Sequence, residues 1–241
     1  MIQVYPAASR HSFDHGWLRG SHSFSFGEYF DENNTAFGPM RVCNDDTIAP
    51  GKGFGAHPHS DMEILSIVLE GQLRHEDSLG NVMVTSFGEV QRMSAGTGVV
   101  HTEHNPSETE EVTLLQLWFA PERRGLEPSY EATRFDTNGL YGQLLPVASQ
   151  DAVPGSVAKL HQDMTVYLSK LKAGESITFQ QAAGRRVFVF VIDGELEVHR
   201  AAGTAETLQT RDSARIVDEP VLKLSADAGV DETFFMLIDL P

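Results

Sequence analysis

Two short clusters of histidine and carboxylate, about forty residues apart, constrain this chain more than anything else in its sequence. The first is Gly51-Lys-Gly-Phe-Gly-Ala-His57-Pro-His59-Ser-Asp-Met-Glu63. The second is Gly96-Thr-Gly98-Val-Val-His101-Thr-Glu103-His104-Asn105, and both are set in β-branched, glycine-punctuated sequence. Residues two apart on a strand point to the same face, so His57 and His59 project together, as do His101 and Glu103. If the two strands face each other inside a barrel, three imidazoles and one carboxylate converge on a point. That donor set suits a divalent first-row metal such as iron, copper, nickel, manganese or zinc.

The rest of the chain reads as short strands. His22-Ser-Phe24-Ser-Phe26 alternates polar and apolar and predicts a strand. Met40–Asn44 predicts another, leading into Asp45-Asp46, which reads as a solvated turn. Further strands are expected at Ile64–Leu69, Gly71–His75, Val82–Thr85, Glu89–Met93 and Val112–Phe119, with a hairpin loop over Asp77–Asn81. Turn signals at this spacing indicate an all-β barrel or sandwich. Phe13, Trp17, Phe24 and Phe26, among the aromatics before residue 40, read as packing residues, some of them able to wall a pocket for a flat ligand. Ala120-Pro121 followed by the charged stretch Glu122–Pro128 is the linker candidate, dividing the chain into residues 1–124 and 125–241.

The two halves share a weak period. Gly51 and Gly71 are separated by the same twenty residues as Gly174 and Gly194, and Val68-Leu-Glu-Gly71 parallels Val191-Ile-Asp-Gly194 at a shift of 123. Under that shift His57 falls on Gln180, His59 on Ala182, His101 on Leu224 and Glu103 on Ala226. The second half is expected to repeat the first without metal ligands, giving one metal per chain.

Composition narrows the function. A formal charge of −16 without any Lys/Arg run argues against autonomous nucleic-acid binding. No apolar run reaches bilayer length, and no signal peptide is visible at the start. A single cysteine, Cys43, excludes a disulfide framework, reads as a buried structural thiol and fits a reducing cytoplasm. His11, His15, His75, His104, His161 and His199 read as surface or hydrogen-bonded residues. Glu63 shares strand parity with His59; a hydrogen-bond partner to the site or a rim carboxylate is favoured over a fifth ligand.

Gly51-x5-His57-x-His59 with Gly71 resembles the first signature of the cupin superfamily, and Gly98-x2-His101-x3-Asn105 the second. The usual acidic ligand slot of the first signature falls on Ile64, and Gly96 replaces a proline of the second; Glu103 supplies the missing carboxylate. That variation is similar to the pirin family of bicupins. So are His15-Gly-Trp17, Arg41-Val-x-Asn44-Asp45-Asp46, Met93-Ser-Ala-Gly96-Thr-Gly98 and His101-x-Glu103-x-Asn105. The resemblance implies two cupin β-barrels of jelly-roll type packed face to face, with one metal on His57, His59, His101 and Glu103. It also implies quercetin 2,3-dioxygenase activity, as in bacterial pirins, or modulation of transcription factors, as in animal pirins.

The expected reaction is metal-dependent opening of a quercetin-like flavonol by O₂, with Glu103 as ligand and general base. Fe(II) is the expected metal; zinc, manganese, nickel, copper and cobalt fit the same donors. The alternative is a non-catalytic, metal-dependent binding or redox-sensing module acting through a protein partner.

Overall fold

The computed structural model describes residues 1–201 and 203–241. Its regular structure is almost entirely strand, with short 3-10 turns at Ala7–Ser9 and Thr137–Leu140. Among the described residues no helix is long and apolar enough to cross a membrane.

Two compact units form, and neither is continuous in sequence. One comprises His11–Phe135 with Gln150–Gln162; the other comprises Met1–Arg10, Asp136–Ser149 and Asp163–Pro241. This division differs from a single cut between residues 124 and 125, and strand pairing is the reason. Ile2–Tyr5 runs antiparallel to Ser213–Val217 and so joins the second half. Ser129–Arg134, beyond the charged stretch, runs antiparallel to Glu89–Ser94 and so stays with the first.

In the histidine-bearing unit one sheet has the order Ser129–Arg134, Glu89–Ser94, Glu63–Glu70, Val112–Phe119, Met40–Ile48, Leu18–His22, His11–Asp14. A second sheet has the order Gly53–His59, Val99–His104, Gln72–Asp77, Val82–Ser86. The unit is therefore a cupin-type sandwich of two sheets rather than a closed barrel. Ile48, Val68, Val112 and Leu114 of the larger sheet pack with Leu73 of the smaller one. Each such side chain contributes about 1.5–3 kcal/mol on burial.

The other unit repeats this order. Ile2–Tyr5, Ser213–Val217, Arg186–Asp193, Glu232–Leu240, Thr165–Lys172 and Leu145–Ser149 follow one another in its larger sheet. Ser176–Gln180, Val221–Ala226, Glu195–Arg200 and Ala205–Gln209 form the smaller. The repeat is real, but its shift is not uniform. Gly53 pairs with His104 in the first unit, whereas Ser176 pairs with Ser225 in the second. The counterparts of His101 and Glu103 are therefore Leu222 and Leu224, two residues before the positions that the uniform shift gives. Both leucines are fully buried.

Two local expectations fail. The strand expected over His22–Phe26 instead ends at His22. The Ser25 N–H donates to Asn34 O, and the Ser25 hydroxyl bonds Asp31, which turns the backbone away from the sheet. Asp45 and Asp46 are not a turn: Met40–Ile48 is one strand, paired on both sides, and Asp46 is buried. Pairing with two neighbours overrides the local turn preference of Asp-Asp.

Candidate metal centre

His57 and His59 lie on the strand Gly53–His59, and His101 and Glu103 on Val99–His104. These strands are hydrogen-bonded neighbours in one sheet, with His57 opposite His101, rather than opposite walls of a barrel. The register slips between His101 and Glu103, a bulge of the kind that re-aims side chains beside functional sites. The pairing also needs Gly53, where a Cβ would overlap the backbone of Glu103 and His104. Gly96 has a φ of +48°, and a Cβ there would strike Leu126 O, so the residue that replaces the cupin proline is fixed by a turn.

Ring nitrogens from His57, His59 and His101 all lie within 4.8 Å of one another. His57 Nε2 and His101 Nε2 are 3.0 Å apart. Two nitrogens each about 2.1 Å from one cation at a right angle are separated by roughly that distance, so this pair fits a shared ion. His57 Nδ1 is 2.7 Å from Gly55 O and carries the proton it donates there, which leaves Nε2 free. Burial, followed by the charge of His57, pushes His59 down to about 4. Burial and the surrounding histidines push His101 down to about 3. Both are neutral at neutral pH, the state that donates a lone pair.

Glu103 is buried, and burial raises its pKa against the opposing pull of His75, Gln116, His57 and Ser66. Gln116 Nε2 donates to its carboxylate at 2.8 Å and Ser66 Oγ at 3.2 Å. Trp118 Nε1 donates to Gln116 Oε1 at 3.1 Å, which turns the amide nitrogen toward Glu103. The Glu103 carboxylate gathers with His75 and His101 in a second group of the same tightness, sharing His101 with the first.

His75 is buried and bonded at both ring nitrogens. Nε2 lies 2.9 Å from Asp77 Oδ2 and Nδ1 lies 3.2 Å from His101 Nδ1, while the ring stacks on Tyr130 at 4.2 Å. Burial raises the Asp77 pKa, but hydrogen bonds from His75, Asn81 and Leu79 outweigh it and hold the carboxyl below its usual value.

A cavity of about 250 Å³ opens onto His57, His59 and Glu103. Phe13, Phe26, Phe54 and Trp118 wall it, and His57, His59, Glu103 and Gln116 line it together with Asn44 and Asp46.

Glu63 is neither a rim carboxylate nor part of either ligand group. It is buried, accepts hydrogen bonds from Ser94 Oγ at 2.9 Å and the His161 N–H at 3.2 Å, and sits one strand beyond His59, so shared parity does not aim it at the site. His199 pairs with Glu197, and His11 stacks on Tyr29. Asp77, expected only as the start of a hairpin loop, contacts His75, while Ser66 and Gln116 contact Glu103. Gln116 had left a signal, as a polar residue inside the apolar run Val112–Phe119, and His75-x-Asp77 had the i, i+2 spacing of a same-face pair.

Residues 4–119 match the family described as Pirin, and residues 146–240 the one described as Quercetinase C-terminal cupin domain. A quercetin 2,3-dioxygenase of Escherichia coli (strain K12) is 44% identical over 241 residues, covering 100% of this chain and 99% of that protein. A pirin-like protein of Caulobacter vibrioides is 37% identical, covering 99% of both chains. The crystal structure of the bacterial pirin YhhW from Escherichia coli in complex with nickel(II) superposes with a TM-score of 0.91 at 43% identity, covering 100% of this chain and 99% of that one. Similarity over the full length, in sequence and in structure, establishes that the chain belongs to the pirin family.

Proposed function

We propose that this protein is a metal-dependent dioxygenase that opens the heterocyclic ring of quercetin-like flavonols with O₂. In this reading His57, His59, His101 and Glu103 hold one divalent ion, Fe(II) in the native protein. The observation that carries it is the aromatic cavity whose wall includes His57, His59 and Glu103. When bound, the metal supplies Lewis acidity toward the flavonol 3-hydroxyl oxygen and a template for the second reactant.

The protein's own residues supply the rest. Glu103, whose pKa burial raises, takes the 3-hydroxyl proton on its carboxylate as general base. Gln116 and Ser66 hold that carboxylate in place before and after the transfer. Phe13, Phe26 and Trp118 offer ring faces and edges to a flat polyphenol. At about 250 Å³ the cavity is smaller than the usual pocket of roughly 300–1,000 Å³, so it encloses the reacting end of a flavonol and leaves the remainder outside. The acidic charge and single buried cysteine support a cytoplasmic small-molecule enzyme with no nucleic-acid partner.

Aerobic quercetin turnover, measured on protein reconstituted with Fe(II) beside a His59→Ala control, tests this. The expected result is metal-dependent loss of flavonol absorbance with oxygen consumed and carbon monoxide released, and none of it in the variant. A fully loaded protein without turnover overturns the enzyme reading. It would favour a metal-dependent binding module, for which the exposed Val82, Met83 and Val84 on an edge strand would be the contact surface.

A further inference from the structure

We infer that Asp77 and His75 form a proton-positioning relay that fixes which nitrogen of His101 is free to bind metal. The inference rests on His101 being a ligand, as proposed above. His75 and Asp77 lie on Gln72–Asp77, the strand paired to Val99–His104 on the side away from His57 and His59, with His101 opposite Asp77 and Glu103 opposite His75. The contacts run in series: Asp77 Oδ2 to His75 Nε2 at 2.9 Å, His75 Nδ1 to His101 Nδ1 at 3.2 Å, and His101 Nε2 to His57 Nε2 at 3.0 Å.

An ionised carboxylate only accepts hydrogen bonds. His75 therefore carries its proton on Nε2 and donates it to Asp77, which leaves His75 Nδ1 as an acceptor. The partner across that contact, His101 Nδ1, must then carry a proton and donate it. His101 Nε2 is left with its lone pair, on the side of His57 Nε2. His75 is thereby excluded as a ligand of its own, because both of its nitrogens are engaged. Stacking on Tyr130 fixes the plane of the ring that passes this information on.

The loop after Asp77 makes the relay reversible by one substitution. Asp77 Oδ1 accepts the backbone N–H groups of Leu79 at 2.9 Å and Asn81 at 3.0 Å. In Asp77→Asn these donors hold the amide oxygen at that position and leave the NH₂ group facing His75 Nε2. An N–H there forces the His75 proton onto Nδ1, the His101 proton onto Nε2, and a hydrogen into the metal position. His75→Gln retains an oxygen that can accept from His101 Nδ1; His75→Leu retains nothing.

Zn(II) affinity by competition with a chelator, and ¹⁵N NMR of the ring nitrogens in the metal-free and zinc-loaded proteins, test the relay. Asp77→Asn and His75→Leu are expected to bind Zn(II) about 10–100-fold more weakly than wild type, the usual effect of removing a ligand's hydrogen-bond partner. His75→Gln should recover most of that loss. In metal-free wild type the His101 proton should sit on Nδ1, and in Asp77→Asn on Nε2. Wild-type affinity in both Asp77→Asn and His75→Leu overturns the relay, as does a His101 proton on Nε2 in the wild-type protein. If wild type fails to bind metal, it is the ligand assignment that falls, and the NMR of the metal-free protein still decides the relay.

Discussion

The two units share one strand order and differ in what fills the interior of the smaller sheet. Where the first unit turns His101 and Glu103 inward, the second places Leu222 and Leu224, with Ile177 and Phe179 packed against the same core. The supports differ in the same way. Ser66 and Gln116, opposite each other on adjacent strands, hold Glu103; the second unit has Val189 opposite Leu237 at the corresponding place. Each unit also completes its larger sheet at an equivalent edge with a strand from outside its own repeat, Ser129–Arg134 in one and Ile2–Tyr5 in the other. Topology is thus common property, and a handful of inward side chains decides which copy can hold an ion. The second unit gains about 1.5–3 kcal/mol for each fully buried aliphatic residue at these positions. The first gives up that burial for donors whose stabilisation arrives with the metal.

Leu224→Glu presses hardest on this comparison. It places a carboxylate where the second unit offers no donor, and should lower folding stability by about 3–5 kcal/mol, the usual consequence of an uncompensated buried charge. Urea denaturation reads the loss. Adding Val189→Ser and Leu237→Gln recreates the Ser66 and Gln116 pair, and should restore part of it. An undiminished midpoint in Leu224→Glu would mean that the second interior is not the closed apolar core described above.

The converse change is smaller. Gln116→Leu makes the first unit resemble the second, removes the 2.8 Å hydrogen bond to Glu103 and leaves Trp118 Nε1 without its acceptor. Metal affinity, read by chelator competition, should fall about 10–100-fold, or roughly 1.4–2.7 kcal/mol. Unchanged affinity would separate the Gln116 contact from the metal centre.

The strand alternation made His57 with His59, and His101 with Glu103, legible as same-face pairs, because residues two apart on a strand share a face whatever the strand's partner. Gly71 and Gly194 made the repeat legible, since both end a β-branched run at a turn. What stayed hidden depends on partners. Four residues at Ile2–Tyr5 carry no local sign that they pair with Ser213–Val217, so the exchange of segments between units escaped a linear reading. Asp45-Asp46 has turn chemistry locally and becomes strand only because both neighbouring strands demand it. His75 looked like one more hydrogen-bonded histidine, which it is; that its partner is His101 follows only from cross-strand register. That Leu222 and Leu224, rather than Leu224 and Ala226, stand at the places of His101 and Glu103 is likewise a property of pairing.

The smallest expected effect is a pH dependence present in one unit and absent at the matching place in the other. In the metal-free protein burial raises the pKa of Glu103, so its contribution to stability is fully present below the ordinary glutamate value near 4.5 and is lost as pH rises through the folded value. His59 and His101, pushed down to about 4 and about 3, act in the opposite sense. Their contribution is present above the ordinary histidine value near 6.5 and is lost as pH falls through the lowered ones. Glu103→Gln removes only the first of these. The stability of the variant relative to wild type, by urea denaturation without metal, should therefore grow between pH 4 and pH 7. Saturating Zn(II) should reverse the order, because the wild-type carboxylate then has the ion to compensate its charge. Leu224→Ala, at the matching place, should cost the same at both pH values, since nothing ionises there. A difference between Glu103→Gln and wild type that is flat with pH would show that Glu103 ionises inside this unit without penalty, its hydrogen bonds to Ser66 and Gln116 being sufficient by themselves.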